Sequence, residues 1–406
     1  MNKSQLSTIL AFSSMIILLL SGGGIPFLIY RKFLFIVVLI IFGFLVIRQG
    51  INKIELQQLA LILVFILAFL VINYFFAITP QSIQKVLANI TIMFSSAFAT
   101  IYFSSKKNKG MFVKTLYFSL KLILFHSLLN FIAYPLVSGS LSIIGNWHYE
   151  CSTFANLFFY NPQKYNYTFL GISLVRNQGL FWEPGVLQIF LNIFLFLNLF
   201  VVKSSRFMIL VIIFSMLTTL STTGLFIMLI LMGVYSVRVV KNNFLFFPIV
   251  LLILFGLFSV TSSNISNKIY GDGSNSFQVR LFDLVQPFKM VADNPLTGIG
   301  LDDQQFIEVR NRVDYALWMK GINFDFLEKG STNSITFFLA TTGIPATILL
   351  LYLLYNQLLI QQKKKLFFML ILFSLMTEPL LLKPFFFIFV ISGGLYFLRR
   401  FKWKTY

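Results

Sequence analysis

Residues Leu56–Ile78 read LQQLALILVFILAFLVINYFFAI and contain no charged side chain. A helix needs about 20 apolar residues to cross the roughly 30 Å of hydrocarbon in a bilayer. The rest of the chain has a similar composition, since 58% of its 406 residues are hydrophobic and only 11% are charged, whereas a soluble domain carries about 25% charged residues. The sequence therefore predicts an all-α polytopic integral membrane protein.

Apolar runs of this kind recur along the chain and predict about twelve transmembrane helices. We predict one polytopic membrane domain over residues 1–406, with two longer outer segments at 137–181 and 262–333. The predicted spans are Leu6–Leu20, Ile25–Ile47, Leu56–Ile78, Val86–Phe103, Met111–Pro135, Gly185–Val202, Phe207–Leu220, Thr223–Val237, Phe244–Thr261, Ser334–Leu359, Leu366–Met376 and Pro384–Leu398.

The basic residues give the orientation. The chain has 32 Lys and Arg against 13 Asp and Glu, and the basic residues lie in short clusters at the ends of apolar runs. If the spans alternate, these clusters fall on one side of the membrane, which the positive-inside rule makes cytoplasmic. Both termini are then predicted to be cytoplasmic. A nucleic-acid-binding protein would gather its basic residues on a polar domain, so nucleic acid is excluded as a partner.

The two outer segments differ from ordinary loops, and loops longer than about 15 residues are usually functional. The first is rich in aromatic and polar residues, and the second holds nine of the thirteen acidic residues. In the second, apolar residues recur at helical intervals over 277–290 and again over 306–317, with a turn at Asn294–Gly300 between them. We therefore expect two amphipathic helices on the outer surface.

Cofactor sites are not indicated. The single Cys and the two His exclude a disulfide framework and a histidine-rich metal site. The sequence contains neither a Gly-x-x-x-x-Gly-Lys-Ser/Thr loop nor a Gly-x-Gly-x-x-Gly turn after a strand, so we expect no coupling to ATP. The adjacent Asp302 and Asp303 are interpreted as negative charge at a helix N-terminus. The prediction is a protein with no metal and no other cofactor.

Arg176 and Glu183 lie where the first outer segment runs into a span. An ionisable residue near membrane depth is costly and indicates function, although an Arg beside the interfacial Trp182 can also snorkel. Glu183 precedes Pro184, so its carboxylate can serve as a base, pair with Arg176, or cap the helix that begins at the proline.

Three more arginines are candidates in the second outer segment. Arg280 either pairs with Asp283 on a helix surface or binds phosphate, because its planar guanidinium matches phosphate oxygens. Arg310 and Arg312 compete for the same role, with a solvated helix face as the alternative. Asn333 stands before a span and is either a helix cap or a substrate contact. The candidate catalytic residues are Glu183, Arg176 and Arg280, and the candidate substrate-binding residues are Arg310, Arg312, Asn333 and Trp182.

Three segments together resemble the O-antigen polymerase and O-antigen ligase superfamily. They are Arg176-x-x-Gly-Leu-Phe-x-Glu183-Pro-Gly, then Arg280 followed by Asn294-Pro-Leu-Thr-Gly-Ile-Gly300, then Ser331-Thr-Asn-Ser334 with Thr342-Gly-Ile344 beyond. Ser221-Thr-Thr-Gly224 also looks like the Ser/Thr-rich turn of such proteins. The resemblance covers about Arg176 to Leu354, together with the polytopic layout and the large outer loop, and implies a GT-C-like architecture.

The same resemblance separates polymerase from ligase. Ligases of this superfamily usually carry a His beside the Asn at the start of the late span, as the presumed base toward the acceptor sugar. Thr332 occupies that position here, and a Thr cannot replace an imidazole as a base. The Glu183-Pro-Gly sequence after the Arg is more like the polymerases (Wzy type). We therefore expect an O-antigen polymerase, with the ligase as the alternative.

The resemblance implies a metal-independent, inverting glycosyl transfer on the outer face of the bacterial cytoplasmic (inner) membrane. The donor is a glycan on undecaprenyl diphosphate and the acceptor is a second lipid-linked repeat unit. Arg176 and Arg280 would hold the donor diphosphate and stabilise its developing charge, and Glu183 would act as the base or orient Arg176. The product is O-antigen, capsule or another exopolysaccharide, and the implied partners are a flippase and a chain-length regulator.

A transporter or a flippase for lipid-linked oligosaccharides is the alternative from another class. Twelve spans with cytoplasmic termini suit such proteins too. Secondary transporters are usually built from two related halves, and no repeat is visible in this sequence. The predicted spans also contain few ionisable residues, of which Lys121 is the clearest. The sequence therefore favours an enzyme.

Overall fold

A computed structural model describes residues 3–108, 110–146, 149–169, 172–202, 205–242, 274–312 and 330–400, with positions 256 and 262 between them. The chain divides into two compact units. The first is formed by Met1–Arg31 and Lys114–Gly271, and the second by Lys32–Val113 and Asp272–Tyr406. The predicted span Phe244–Thr261 lies outside the described residues except at position 256.

The described part of the chain is mostly helical. In chain order the helices are α1 (Lys3–Ser21), α2 (Ile25–Ile29), α3 (Arg31–Gln49), α4 (Lys53–Phe76), α5 (Ile83–Ser104), α6 (Met111–Val137), α7 (Pro162–Tyr165), α8 (Pro184–Phe196), α9 (Arg206–Thr219), α10 (Thr222–Asn242), α11 (Ser274–Asp293), α12 (Asp303–Arg312), α13 (Ser334–Tyr355), α14 (Lys364–Leu375) and α15 (Pro384–Arg400). The strands are β1 (Ser142–Asn146), β2 (Tyr149–Phe154), β3 (Phe158–Tyr160), β4 (Asn166–Phe169) and β5 (Ile172–Val175).

A polytopic membrane protein fits these helices, but twelve spans are not confirmed. Within the described residues, five helical stretches are long and apolar enough to cross a membrane: Lys53–Phe76, Ile83–Ser104, Met111–Ser140, Pro184–Val201 and Ser334–Tyr355. Shorter apolar helices cover Thr8–Ser21, Phe33–Gln49, Arg206–Thr219 and Thr222–Val237. The predicted second span is divided, because α2 ends at Ile29 and α3 begins at Arg31.

The first unit is organised around α8, which is buried along its whole length and packs against α9 and α10. Two side-chain amides of α8 are buried in this core. Asn192 Nδ2 donates to Gln188 Oε1 at 2.7 Å and to the carbonyl of Gly224, at the start of α10, at 3.1 Å. A Cβ on Gly224 would collide with the Gln188 amide. The turn Ser221–Gly224 is therefore fixed on α8 by a contact that requires glycine.

The outer segment 137–181 contains β-structure, which corrects the all-α prediction. Strands β1, β2 and β3 form an antiparallel sheet, with Ile144 opposite Cys151, and β4 and β5 form a hairpin. The aromatic residues of this segment supply its core rather than only an interfacial belt. Tyr160 is buried and its hydroxyl donates to the carbonyl of Asn130 in α6 at 2.8 Å. Trp147, His148 and the side chain of Tyr167 lie outside what the structure describes.

In the second unit α11 packs along α13, and α13 packs against α15. Helices α11 and α12 cover the apolar stripe predicted at 277–290 and the described part of that at 306–317, whereas their place on the outer surface stays a prediction. Asp302 caps α12 through a bond from the amide of Gln304 to Oδ1 at 2.9 Å, and Asp303 pairs with Lys85 at 3.2 Å. This arrangement agrees with the interpretation of the two aspartates as charge at a helix N-terminus.

Helix α13 is broken at Gly343, whose backbone is not helical, and Pro345 follows. Pro345 has no N–H to donate to the carbonyl of Thr341, so that carbonyl needs another partner. The amide of Gly300 supplies it at 3.0 Å, and the amide of Ile299 bonds to the carbonyl of Ala340 at 2.9 Å. The turn Asn294–Gly300 is thus bonded to the break in α13.

Candidate functional site

Arg176 follows β5, and two carbonyls at the end of α9 hold its guanidinium. Nε donates to the carbonyl of Thr219 at 2.9 Å, and Nη2 donates to the carbonyl of Leu220 at 3.2 Å. A positive group is favourable at a helix C-terminus because of the helix dipole. The guanidinium also lies 5.2 Å from the ring centroid of Tyr165. The plane of this half-buried side chain is therefore fixed just before the turn Ser221–Gly224.

Glu183 stands at the N-cap position of α8, with Pro184 at the first helical position. Among the described residues at this helix start, the Glu183 side chain makes no capping hydrogen bond. The hydroxyl of Tyr165 instead donates to Glu183 Oε2 at 3.4 Å. One tyrosine therefore contacts both Arg176 and Glu183.

Trp182 belongs to the same group of residues. Its amide donates to the carbonyl of Gly23 at 3.3 Å, and its carbonyl accepts from the hydroxyl of Tyr149 at 3.1 Å. Burial raises the pKa of that hydroxyl, so Tyr149 keeps its proton and serves as a donor. Gly23 has a φ of +127°, and a Cβ there would lie 3.1 Å from the indole ring. The glycine turn after α1 thus supports the backbone beside Glu183.

In the second unit Asp283 of α11 is the centre of a buried polar group. Arg310 Nη1 donates to Asp283 Oδ1 at 3.4 Å, and the two side chains are 2% and 1% exposed. The guanidinium lies 5.7 Å from the ring centroid of Phe282 and 5.6 Å from that of Phe306. Burial raises the pKa of the Asp283 carboxyl, although the bonds from Thr332 and the charge of Arg310 oppose this shift. Burial likewise lowers the pKa of Arg310.

The segment before α13 is bonded on two sides. The amide and the hydroxyl of Thr332 both donate to Asp283 Oδ2, each at 2.7 Å. Asn333 caps α13 by accepting from the amides of Ile335 and Thr336 at 3.0 and 3.1 Å. The hydroxyl of Ser334 donates to the carbonyl of Glu378 at 2.5 Å. These bonds join α11, the start of α13 and the turn after α14.

The remaining predicted arginines are Arg280 and Arg312. Arg280 stands one turn before Asp283 in α11, is half-buried, and its charge lowers the pKa of Asp283. The buried ion pair of Asp283, however, is with Arg310, which the i, i+3 spacing to Arg280 did not predict. Arg312 ends α12, and its side chain lies outside the described residues.

Sequence reasoning missed two residues that organise these groups. Tyr165 was treated as one of several loop aromatics, and Asp283 only as a surface partner of Arg280. For Asp283 a signal was present, because an acidic residue on the apolar stripe of an amphipathic helix needs a buried partner. In the part of the chain that the structure describes, no group of three or more His, Cys, Asp and Glu side chains could hold a metal ion.

Comparison with known proteins adds one match. The family model described as O-antigen ligase matches residues 207–351. This region contains the turn Ser221–Gly224, Arg280, the turn Asn294–Gly300, Thr332 and the break in α13, whereas Arg176 and Glu183 precede it. No curated protein matches the chain significantly, and no solved structure does.

The family model is described as O-antigen ligase and matches only residues 207–351, so it does not distinguish a polymerase from a ligase. The resemblance rests on motifs that the structure bonds together, since the amide of Ile344 donates to the carbonyl of Pro295 at 2.8 Å. The match over residues 207–351 confirms the resemblance of this chain to the O-antigen polymerase and O-antigen ligase superfamily.

Proposed function

We propose that the protein is a polysaccharide polymerase, which transfers a glycan from undecaprenyl diphosphate to a lipid-linked repeat unit on the outer face of the cytoplasmic membrane. The observation that carries this proposal is the contact of one residue, Tyr165, with both Arg176 and Glu183. A transfer from a diphosphate needs a cation for the leaving group and benefits from a carboxylate for the acceptor proton.

In the proposed reaction the acceptor hydroxyl oxygen attacks the anomeric carbon of the donor sugar, and the bond from that carbon to the diphosphate oxygen breaks. The acceptor proton passes to Glu183 in one version; in the other, Glu183 orients Arg176 through Tyr165. Arg176 stabilises the negative charge that develops on the departing diphosphate. Inversion at the anomeric carbon follows from a single displacement. The diphosphate is a good leaving group, so the proposal requires no metal.

Arg280 is proposed as a second phosphate-binding arginine, since its guanidinium is partly exposed on α11. Arg310 has a buried side chain held by Asp283, so we assign it an indirect role in substrate binding. Asn333 fixes the start of α13 and Trp182 is proposed to contact sugar. Arg312 is retained as a candidate for substrate binding.

Thr332 supports polymerase over ligase. Its hydroxyl donates to Asp283 at 2.7 Å, and a neutral hydroxyl, unlike an imidazole, does not accept a proton near neutral pH. The ligase is the second candidate, because the matching family is described as O-antigen ligase. A flippase for lipid-linked repeat units and a chain-length regulator are the proposed partners.

A complementation experiment tests the function. In a strain deleted for the gene of this protein, we would compare wild type with Arg176→Ala, Arg280→Ala and Glu183→Gln at matched membrane levels. Lys164→Ala and Lys289→Gln are the controls, since Lys164 also lies over Tyr165, at 5.0 Å, and Lys289 is an exposed cation of α11.

We expect a polysaccharide ladder with wild type and both controls, and a single-repeat band with the three test variants. If wild type restores only the attachment of preformed polymer, the protein is a ligase. If single repeats fail to reach the outer face without the protein, it is a flippase.

A further inference from the structure

Burying the ion pair Asp283–Arg310 costs desolvation free energy. Both ions are almost fully removed from water, and replacing such a pair with apolar residues of similar volume is often neutral or stabilising. The pair is therefore poorly explained as a source of stability. Its geometry offers another explanation, because the carboxylate that Arg310 neutralises is also the acceptor for the segment before α13.

Asp283 accepts three hydrogen bonds from Thr332, just before α13, and from Thr336, in its first turn. Oδ2 accepts from the amide and from the hydroxyl of Thr332, and the backbone carbonyl of Asp283 accepts from the hydroxyl of Thr336 at 2.7 Å. Arg310 is itself anchored to α11, since Gln286 Nε2 donates to its carbonyl at 2.9 Å. One residue thus fixes the start of α13 relative to α11 and α12.

The same residue acts on Arg280. The two side chains are one turn apart on α11, and the positive charge of Arg280 lowers the pKa of Asp283. By reciprocity, the carboxylate favours the positions of the guanidinium that lie close to it. Thr332 is half-buried and bonds to the same carboxylate, so Asp283 is the group that connects Thr332 with Arg280.

We propose that Asp283 is a positioning residue of the reaction, which locks Thr332 and the start of α13 onto α11 and thereby sets the position of Arg280. The proposal rests on the proposed glycosyl transfer, in which Arg280 binds phosphate. Asp283 itself does not touch substrate, because it is 1% exposed.

The first test replaces the pair by apolar residues, in the full-length protein and in its native membrane. The double variant Asp283→Leu with Arg310→Met fills the buried site with apolar side chains and removes the hydrogen bonds that Asp283 accepts from Thr332 and Arg310. If these bonds position Arg280, the variant should accumulate in the membrane and melt close to wild type, while its polymer synthesis falls at least about tenfold. An active double variant would overturn the proposal.

The second test remains decisive if the double variant does not accumulate. Thr332→Val removes one of the two bonds to Asp283, whereas Thr332→Ser retains both donors. Thr347→Val is the matched control. It also removes a threonine hydroxyl that donates a hydrogen bond, here to the carbonyl of Gly343 within α13 at 2.9 Å. We expect a clear loss of kcat with Thr332→Val, recovery with Thr332→Ser, and wild-type activity with Thr347→Val.

A coupling measurement separates positioning from a general structural role. If Asp283 and Thr332 act through Arg280, adding Thr332→Val to the milder variant Arg280→Lys, which retains the positive charge, lowers the remaining activity little further. Full additivity, or wild-type kcat in Thr332→Val, contradicts the proposal. A wild-type protein that makes no polymer refutes the proposed function instead, and this result is visible before any variant is compared.

Discussion

The amide of Ile344 donates to the carbonyl of Pro295 at 2.8 Å, although the two residues belong to different motifs of the sequence. In an unbroken helix this amide would bond to the carbonyl of Ala340, four residues earlier. That carbonyl accepts from the amide of Ile299 instead, at 2.9 Å. The turn Asn294–Gly300 and the break in α13 therefore complete each other's backbone hydrogen bonds.

This relationship predicts a strong requirement for glycine at position 298. Gly298 has a φ of +69°, and a Cβ there would lie 2.5 Å from the carbonyl carbon of Thr341. Gly298→Ala should lose about 1–2 kcal/mol of stability from backbone strain and about 1–3 kcal/mol from overpacking. Thermal unfolding of the purified protein in detergent measures the loss.

Substitutions at Gly330, and at Gly393 and Gly394 in α15, provide the controls. Among the described residues, apart from the neighbouring backbone, no atom lies within 4 Å of a Cβ on Gly330 or Gly394, whereas a Cβ on Gly393 would overlap the carbonyl of Leu353. Gly330→Ala and Gly394→Ala should melt near wild type, and Gly393→Ala well below it. Equal melting of Gly393→Ala and Gly394→Ala would show that the packing of α15 on α13 is wrong.

Tyr165 should contribute to activity in two separable ways. Tyr165→Phe retains the ring under Arg176 and removes the hydroxyl that donates to Glu183. The loss of one such bond is worth about 1 kcal/mol, or roughly fivefold in rate. Tyr165→Leu removes both contacts and should be the more severe change. Polymer yield at matched protein level measures both variants, and equal activity of Tyr165→Phe and wild type would argue against an orienting role of this hydroxyl.

The shape of Arg176 should matter as much as its charge. A lysine retains the positive charge but cannot donate to the carbonyls of both Thr219 and Leu220 from a planar fork. We expect Arg176→Lys to lose at least about tenfold in polymer synthesis, and Lys164→Ala to retain wild-type synthesis. A fully active Arg176→Lys would indicate that only charge is needed at this position.

Asp283 predicts a pH dependence of stability. Burial raises its pKa above the ordinary value of 3.8, so the folded protein binds this proton more tightly than the unfolded chain. The resulting contribution to stability is full below pH 3.8 and is lost as the pH rises through the raised pKa. The melting temperature of wild type relative to Asp283→Asn should therefore fall as the pH rises from below 3.8 through the raised pKa. A difference independent of pH would contradict the raised pKa.

Helices could be predicted where the length of an apolar run or the helical spacing of apolar residues was clear in the sequence. The apolar run Leu56–Ile78 predicts α4, and the helical spacing over 277–290 and 306–317 predicts α11 and α12. The strands at 142–175 were not predicted, because each is only three to six residues long, which is too short for an alternating pattern to stand out from a loop. The second predicted span is split at Tyr30, where the basic pair Arg31 and Lys32 interrupts the apolar run.

The candidate site was predictable by residue type but not by partner. Arg176 and Glu183 were identified from their position at a span boundary, while the contact of both with Tyr165 depends on the fold of the preceding strands. The partner of Asp283 is 27 residues away in sequence, so no local spacing rule could find Arg310. Long-range pairing of this kind is visible only in the structure.

The most direct test of the central claim uses the purified full-length protein in liposomes with one lipid-linked repeat unit. A parallel reaction also contains the acceptor to which a ligase would attach the preformed glycan. The account predicts products that grow on the lipid by one repeat unit at a time, with one polyprenyl diphosphate released for each bond, and no product from Arg176→Ala. Transfer only to the ligation acceptor, or movement of the lipid across the membrane without any new glycosidic bond, would contradict it.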